Sequence, residues 1–135
     1  MKKTHNFSFC LIGLFLMSFT NINAQKIKLN VSNLSKNWQL TKYSVGWFSE
    51  EPSDKEKNDY LKLKSDMTFT SVSEGIFEKG TWQLQKEHKR ITLSKKGDKA
   101  VLVFSIKKIK TNELVVIIDN DSEPDAKYLN IHFEN

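Results

Sequence analysis

From residue 37 to the end of the chain, apolar and polar side chains alternate with a period of two, and this pattern limits the fold more than any other feature. Successive side chains of a β-strand point to opposite faces, so each alternating run describes a strand with one dry and one wet side. Leu61 and Leu63 share a face, as do Trp82 and Leu84, Ile91 and Leu93, and Leu129, Ile131 and Phe133. Lysine, threonine or glutamine flanks each set. Helical periodicity is nearly absent. Eight strands are predicted, over residues 37–46, 59–64, 68–73, 79–85, 90–94, 100–109, 113–119 and 127–134. Residues 25–30 add a short extension, and Ser32 or Asn33 is expected to cap a single helical turn before the first strand.

Two irregularities sharpen this reading. In the first strand Trp38 and Leu40 fall on one parity, while Tyr43, Val45 and Trp47 fall on the other. A bulge near Thr41 and Lys42 reconciles them. The sixth and seventh strands are apolar on both parities. Leu102, Phe104, Ile106, Leu114, Val116 and Ile118 are assigned to the interior, because Ser105, Lys107, Glu113 and Asp119 on the opposite parity suit water. The remaining valines then form an outer apolar stripe, covered by the N-terminal segment or a partner, or left as ordinary surface.

Loop lengths suggest how the strands are arranged. Connections at 65–67, 86–89 and 110–112 are short, whereas those at 47–58, 74–78, 95–99 and 120–126 are longer. In an up-and-down meander alternate loops emerge at the same end. The expected fold is therefore an all-β, eight-stranded antiparallel barrel with a closed base and an open mouth.

The N-terminus reads as a cleaved export signal: Lys2 and Lys3, then an apolar run over residues 7–19, then a polar stretch ending on Ala24. That run is about 13 residues, short of the roughly 18 that span a membrane. The expected organisation is a signal peptide over 1–24 and a barrel domain over 25–135, exported to the periplasm or secreted, with no membrane anchor. Cys10, the one cysteine, lies inside the apolar run and leaves with it. No disulfide is then available, and one hydrophobic core must hold the domain. Losing Lys2 and Lys3 lowers the formal net charge from +5 to +3. This modest excess argues against a nucleic-acid partner. The lysines at 95, 96, 99, 107, 108 and 110 are assigned to solvated loops and the outer wall.

Several short motifs together resemble the lipocalin-like domains of bacterial exported proteins. Leu34-Ser35-Lys36-Asn37-Trp38-Gln39-Leu40 is similar to that family's opening turn, Gly-x-Trp and first strand. Lys64-Ser65-Asp66-Met67-Thr68-Phe69 resembles its Asp-Gly-Thr turn, and Gly80-Thr81-Trp82-Gln83-Leu84 its Gly-Thr-Trp strand. Residues 106–116, with Thr111-Asn112-Glu113-Leu114, resemble its late hairpin. Lys36 and Met67 stand where the family prefers glycine. Larger lipocalins bring an arginine from the last strand over the first tryptophan, and here Arg90 is the only arginine. The resemblance implies a lipocalin-like barrel and small-molecule binding as a function to be tested.

Catalytic signals are missing. The mature chain has no thiol, no Gly-x-Ser-x-Gly elbow and no phosphate-cradling glycine loop. His88 and His132 show no metal-ligand spacing and read as surface residues. Residues 119–125 alternate oxygen donors, but Pro124 replaces the turn glycine of an EF-hand and Asn130 stands at its bidentate position. Glu50, Glu51, Asp54 and Glu56 read as solvated loop charge. No catalytic residue, metal site or cofactor is expected. Trp38, Trp82 and Phe69 are assigned to the core. The binding candidates are Tyr43, Trp47, Phe48, Phe77, Leu93, Leu102 and Leu129, placed at or below the mouth. Trp47 and Phe48 open the longest loop, either as a lid over an apolar ligand or folded inward as anchors. Two functions compete: a non-enzymatic module holding a small apolar or amphipathic ligand, and an inhibitor-type barrel with a filled interior that engages a protein partner. An empty or a packed interior separates them.

Overall fold

The computed structural model describes residues 26–97, 101–119 and 124–135. The segment read as an export signal lies outside these residues, as does most of the 119–125 loop. Nine strands follow a one-turn helix, α1 (Val31–Leu34): β1 (Asn37–Val45), β2 (Phe48–Glu50), β3 (Tyr60–Leu63), β4 (Thr68–Ser73), β5 (Ile76–Gln85), β6 (Arg90–Lys95), β7 (Val101–Ile109), β8 (Glu113–Ile118) and β9 (Asn130–Glu134). Strands β3 to β9 pair antiparallel in chain order. β1 pairs with both β3 and β9, which closes an eight-stranded barrel. β2 lies outside that count and folds back on the upper half of β1. Closure leaves the barrel wall without an edge to aggregate.

The expected bulge is present: the β1–β9 register shifts between Leu40 and Lys42, returning Tyr43 to the inner face. A second shift, between Ile106 and Lys108, was not anticipated. It turns both Lys107 and Lys108 outward and brings Ile109 into the core. On the outer parity, Val115 is buried by the chain itself, opposite Lys108 and His132, while Val101 is half exposed. The outer stripe is therefore covered only in part.

Three boundaries differ from expectation for local reasons. β5 begins at Ile76, because Glu74 and Gly75 close the β4–β5 hairpin in two residues, both with positive φ. That pair of angles defines the tight turn whose twist suits a hairpin. A non-glycine residue at φ 48° was not readable from the sequence. The last strand begins at Asn130, since Pro124–Tyr128 forms a 3-10 turn. The helix cap is Asn30, whose side chain accepts from the Asn33 N–H at 2.7 Å, in place of Ser32 or Asn33.

The core occupies the lower half of the barrel. Trp38, Trp82, Leu34, Leu63, Ile91, Leu114 and Val116 are fully buried. Each buried indole finds an acceptor, as buried tryptophans usually must. Trp38 Nε1 donates to the Leu34 carbonyl at 2.9 Å, and Trp82 Nε1 to the Lys64 carbonyl at 2.8 Å. The first bond ties α1 under the barrel, and the second ties the β3–β4 turn to β5. Lys36, which replaces the family's glycine, places its ammonium 5.5 Å from the Trp38 ring centroid and donates to the Thr111 carbonyl. A cation thus does sit over the first tryptophan, but it comes from the opening turn and not from the last strand. Met67, the other departure from glycine, adopts φ 67°. That conformation costs a side-chain-bearing residue about 1–2 kcal/mol, partly offset by packing of its thioether on the core.

Candidate functional site

Above this packed base the barrel is hollow. A cavity of about 940 Å³ opens at the mouth, at the upper end of the range for small-molecule sites. Its floor is apolar: Leu40, Leu61, Phe69, Leu93, Phe104 and Phe133 all reach it from the inward parity of their strands. Interior residues fill the base because tryptophans occur there. The upper inward positions carry smaller or polar side chains, including Ser71 and Ser73, which leave the space open.

Of the sequence candidates, Tyr43, Leu93, Leu102 and Leu129 line this cavity. Trp47, Phe48 and Phe77 do not. Gly46, with φ 58°, opens a two-residue turn between β1 and β2 that carries the chain outward. Trp47 is 92% exposed there and Phe48 75%, their rings packed edge to face with centroids 6.4 Å apart. Phe77 is on the outer parity of β5. The inward-folded anchor reading of Trp47 and Phe48 is thereby corrected: the β1–β2 hairpin satisfies its own backbone and leaves both rings in water. Replacing both by serine is expected to shift unfolding free energy by no more than about 0.5 kcal/mol, as for other exposed substitutions. Urea denaturation of the double variant checks this, and a loss near 2 kcal/mol would mean the rings are buried.

The polar part of the site was missed by the sequence reading. Loop 51–59 crosses beside the mouth, tied to β1 by the Leu40 N–H and the Gln39 amide, which donate to the Asp59 carbonyl, and braced within by one carboxylate. Glu56 Oε2 accepts from the Ser53 N–H at 3.0 Å and the Ser53 hydroxyl at 2.6 Å, and Oε1 accepts from the Tyr43 hydroxyl at 2.9 Å. These bonds, chiefly those from Ser53, hold the Glu56 carboxyl below its ordinary value. Burial, then the bond to Glu56, pushes the Tyr43 hydroxyl well above the usual phenol range. Ser53-Asp54-Lys55-Glu56 is half of a capping box, a signal the sequence did contain.

Asp59 is the one buried charged residue among those described. Its Oδ1 accepts from the N–H of Glu74 at 2.9 Å, which helps to hold that residue in its left-handed conformation. Burial raises its pKa. The Glu74 bond opposes the shift, and the charges of Glu56 and Glu74 add to it. Above the raised folded value both folded and unfolded chains are ionised, and folding bears the cost of burying the charge. As pH falls through that value the folded protein takes up its proton first, so this cost disappears. Asp59→Asn, which keeps an acceptor for Glu74, is therefore expected to match or exceed the parent's stability at pH 7, with the difference vanishing towards pH 3.8. Paired urea titrations at the two pH values test the sign. A variant that is weaker only at pH 7 would contradict it.

His132 Nε2 lies 2.7 Å from the Ser44 hydroxyl on the outer wall, its pKa lowered by burial and by Lys42. Among the described residues no group of histidine, cysteine, aspartate or glutamate side chains is placed to hold a metal ion, and no helix is long and apolar enough to cross a membrane.

Comparison with known proteins agrees with the architecture. A solution structure of a protein from Bacteroides uniformis superposes with a TM-score of 0.55 at 15% identity, covering 80% of this chain and 93% of the other. A crystal structure of a DUF4847 family protein from Bacteroides vulgatus gives 0.52 at 13% identity, covering 75% and 92%. At such identities these likenesses speak to fold alone. No curated protein matches the sequence. Residues 34–116, more than half of the chain, match the lipocalin-like domain family. That span runs from the helix beneath Trp38 through the Gly-Thr-Trp strand to the late hairpin, the same segments that build the closed base. The chain belongs to the lipocalin-like domain family.

Proposed function

We propose that this protein is a non-catalytic, exported binding module that holds a small amphipathic ligand in the upper half of its barrel. The single observation that carries the reading is the cavity: about 940 Å³, apolar below and polar at the rim, above a base closed by two tryptophans. A filled interior would have favoured a barrel that acts only through its surface. Apolar area removed from water is worth roughly 25 cal/mol per Å², so such a floor can retain a modest hydrocarbon body. The charged opening of residues 1–24 supports export, to the periplasm or beyond.

An environment-sensitive apolar dye is expected to bind the purified protein with a stoichiometry near one. Leu102→Trp, which fills the cavity from β7 where Leu102 is 38% exposed, is expected to weaken binding at least tenfold with little change in unfolding midpoint. Equal dye binding by parent and variant would place the dye elsewhere and remove the support for this reading.

A further inference from the structure

The overall charge of the chain and the charge of its cavity have opposite signs. The protein is formally +5, yet the rim of the cavity carries six carboxylates, from Glu50, Glu51, Glu56, Asp59, Glu74 and Glu78, and one ammonium, from Lys95. Lys95 is bonded to Glu78 at 2.6 Å. Glu56 is fixed by three hydrogen bonds and faces the opening beside the Tyr43 hydroxyl. Strand parity explains the separation: Glu78 points in while its neighbour Lys79 points out, and the bulge beside Lys42 keeps that lysine outside while Tyr43 turns in.

Asp59 adds an observation of a different kind. It is only 6% exposed and lines the cavity, and its Oδ1 is used by the Glu74 N–H. No hydrogen bond from the described residues reaches Oδ2. Since no fully buried side-chain oxygen among the described residues lacks a partner, Oδ2 still meets solvent at the edge of the apolar chamber, where a positive group can reach it. An anion would meet several like charges at the rim, and a neutral body would leave them unused.

Building on the binding reading above, we infer that the ligand is a cationic amphiphile, with a hydrocarbon body on the floor formed by Leu61, Phe69 and Phe104 and a protonated amine among the Asp59, Glu56 and Glu74 carboxylates. The floor supplies affinity that any matching hydrocarbon shares. The rim supplies selection by charge, because an ammonium gains charge-assisted hydrogen bonds there and a carboxylate is repelled.

Calorimetric titration of the purified protein at pH 7 with decylamine, decanol and decanoate separates the two contributions. An alkylamine is fully protonated at that pH, as a lysine side chain is. The amine is expected to bind at least about tenfold more tightly than the alcohol, and the alcohol more tightly than the acid. Raising the salt is expected to shrink the amine preference, since the rim is open to screening. In the triple variant Glu50→Gln, Glu51→Gln, Glu74→Gln, all exposed positions, the ratio of amine to alcohol affinity is expected to fall at least threefold. Asp59→Asn is expected to lower the same ratio further. Equal binding of all three ligands, or tighter binding of decanoate, would overturn the cationic assignment while leaving the binding function in place. Binding of none would overturn both. A ratio unmoved by either variant would mean that the carboxylates do not select the ligand.

Discussion

Replacing Trp38 or Trp82 by alanine is expected to cost about 3–5 kcal/mol each, the range for truncating a large buried aromatic side chain. Both rings are essentially without solvent contact, and each indole N–H satisfies a backbone carbonyl that holds a turn of the base. Truncation therefore opens a cavity and removes one of the two hydrogen bonds to its carbonyl, since the Lys36 N–H also donates to Leu34 and the Met67 N–H to Lys64. A domain of this size has only about 5–15 kcal/mol of stability in total, so either variant stands near the limit of folding. Trp→Phe at each position separates the two contributions: it keeps most of the volume and loses one hydrogen bond to a carbonyl that keeps another, and is expected to cost about 0.5–1.5 kcal/mol. Guanidinium or thermal unfolding reads the four variants against the parent. A loss below about 1 kcal/mol at both alanine sites would show that the base is not where stability is concentrated.

Gly80→Ala is the second large effect, expected to exceed about 3 kcal/mol although it adds a single methyl group. Gly80 sits within β5 between Phe69 of β4 and Lys95 of β6. A Cβ built there would lie 2.0 Å from the Ser94 carbonyl oxygen and 2.9 Å from Cε1 of Phe69. The first of these is backbone, so no side-chain rotation relieves it and two paired strands must separate. Overpacking usually costs about 1–3 kcal/mol where side chains can adjust, and here they cannot. Gly97 provides the contrast. Its φ of 81° disfavours any side chain, but nothing lies within 4 Å of its Cβ position. Gly97→Ala is expected to cost only about 1–2 kcal/mol, the penalty of the left-handed conformation alone. Parallel denaturation curves decide the order, and a Gly80 variant as stable as the Gly97 variant would mean that the β5–β6 spacing is looser than described.

The wall of the barrel was legible because its signal is repetitive. Thr68–Ser73 matches the predicted strand at both ends, and the β1 bulge follows from the parity switch between Leu40 and Tyr43. What resisted reading was single-residue geometry. The sequence predicts a five-residue loop where the Glu74–Gly75 turn lies, since no propensity announces a glutamate at positive φ. β2 went unseen because three exposed residues carry no alternation. Trp47 and Phe48 were read as lid or anchor from their apolarity, and the turn at Gly46 sends them to the solvent instead.

By itself the sequence determined the closed β-barrel, the inward faces of its strands and the pair of tryptophans at its base. These follow from a period of two repeated over many residues, and each repeat reinforces the others. Tertiary structure alone decided that the upper half is hollow and that its rim is acidic. Glu50, Glu51, Glu56 and Asp59 belong to one stretch of chain and Glu74 and Glu78 to another, each unremarkable as surface charge. Barrel closure and the alternation of β5 bring them to one opening while the neighbouring lysines turn outward. Charge at a site is a sum over distance in space, and distance along the chain does not contain it.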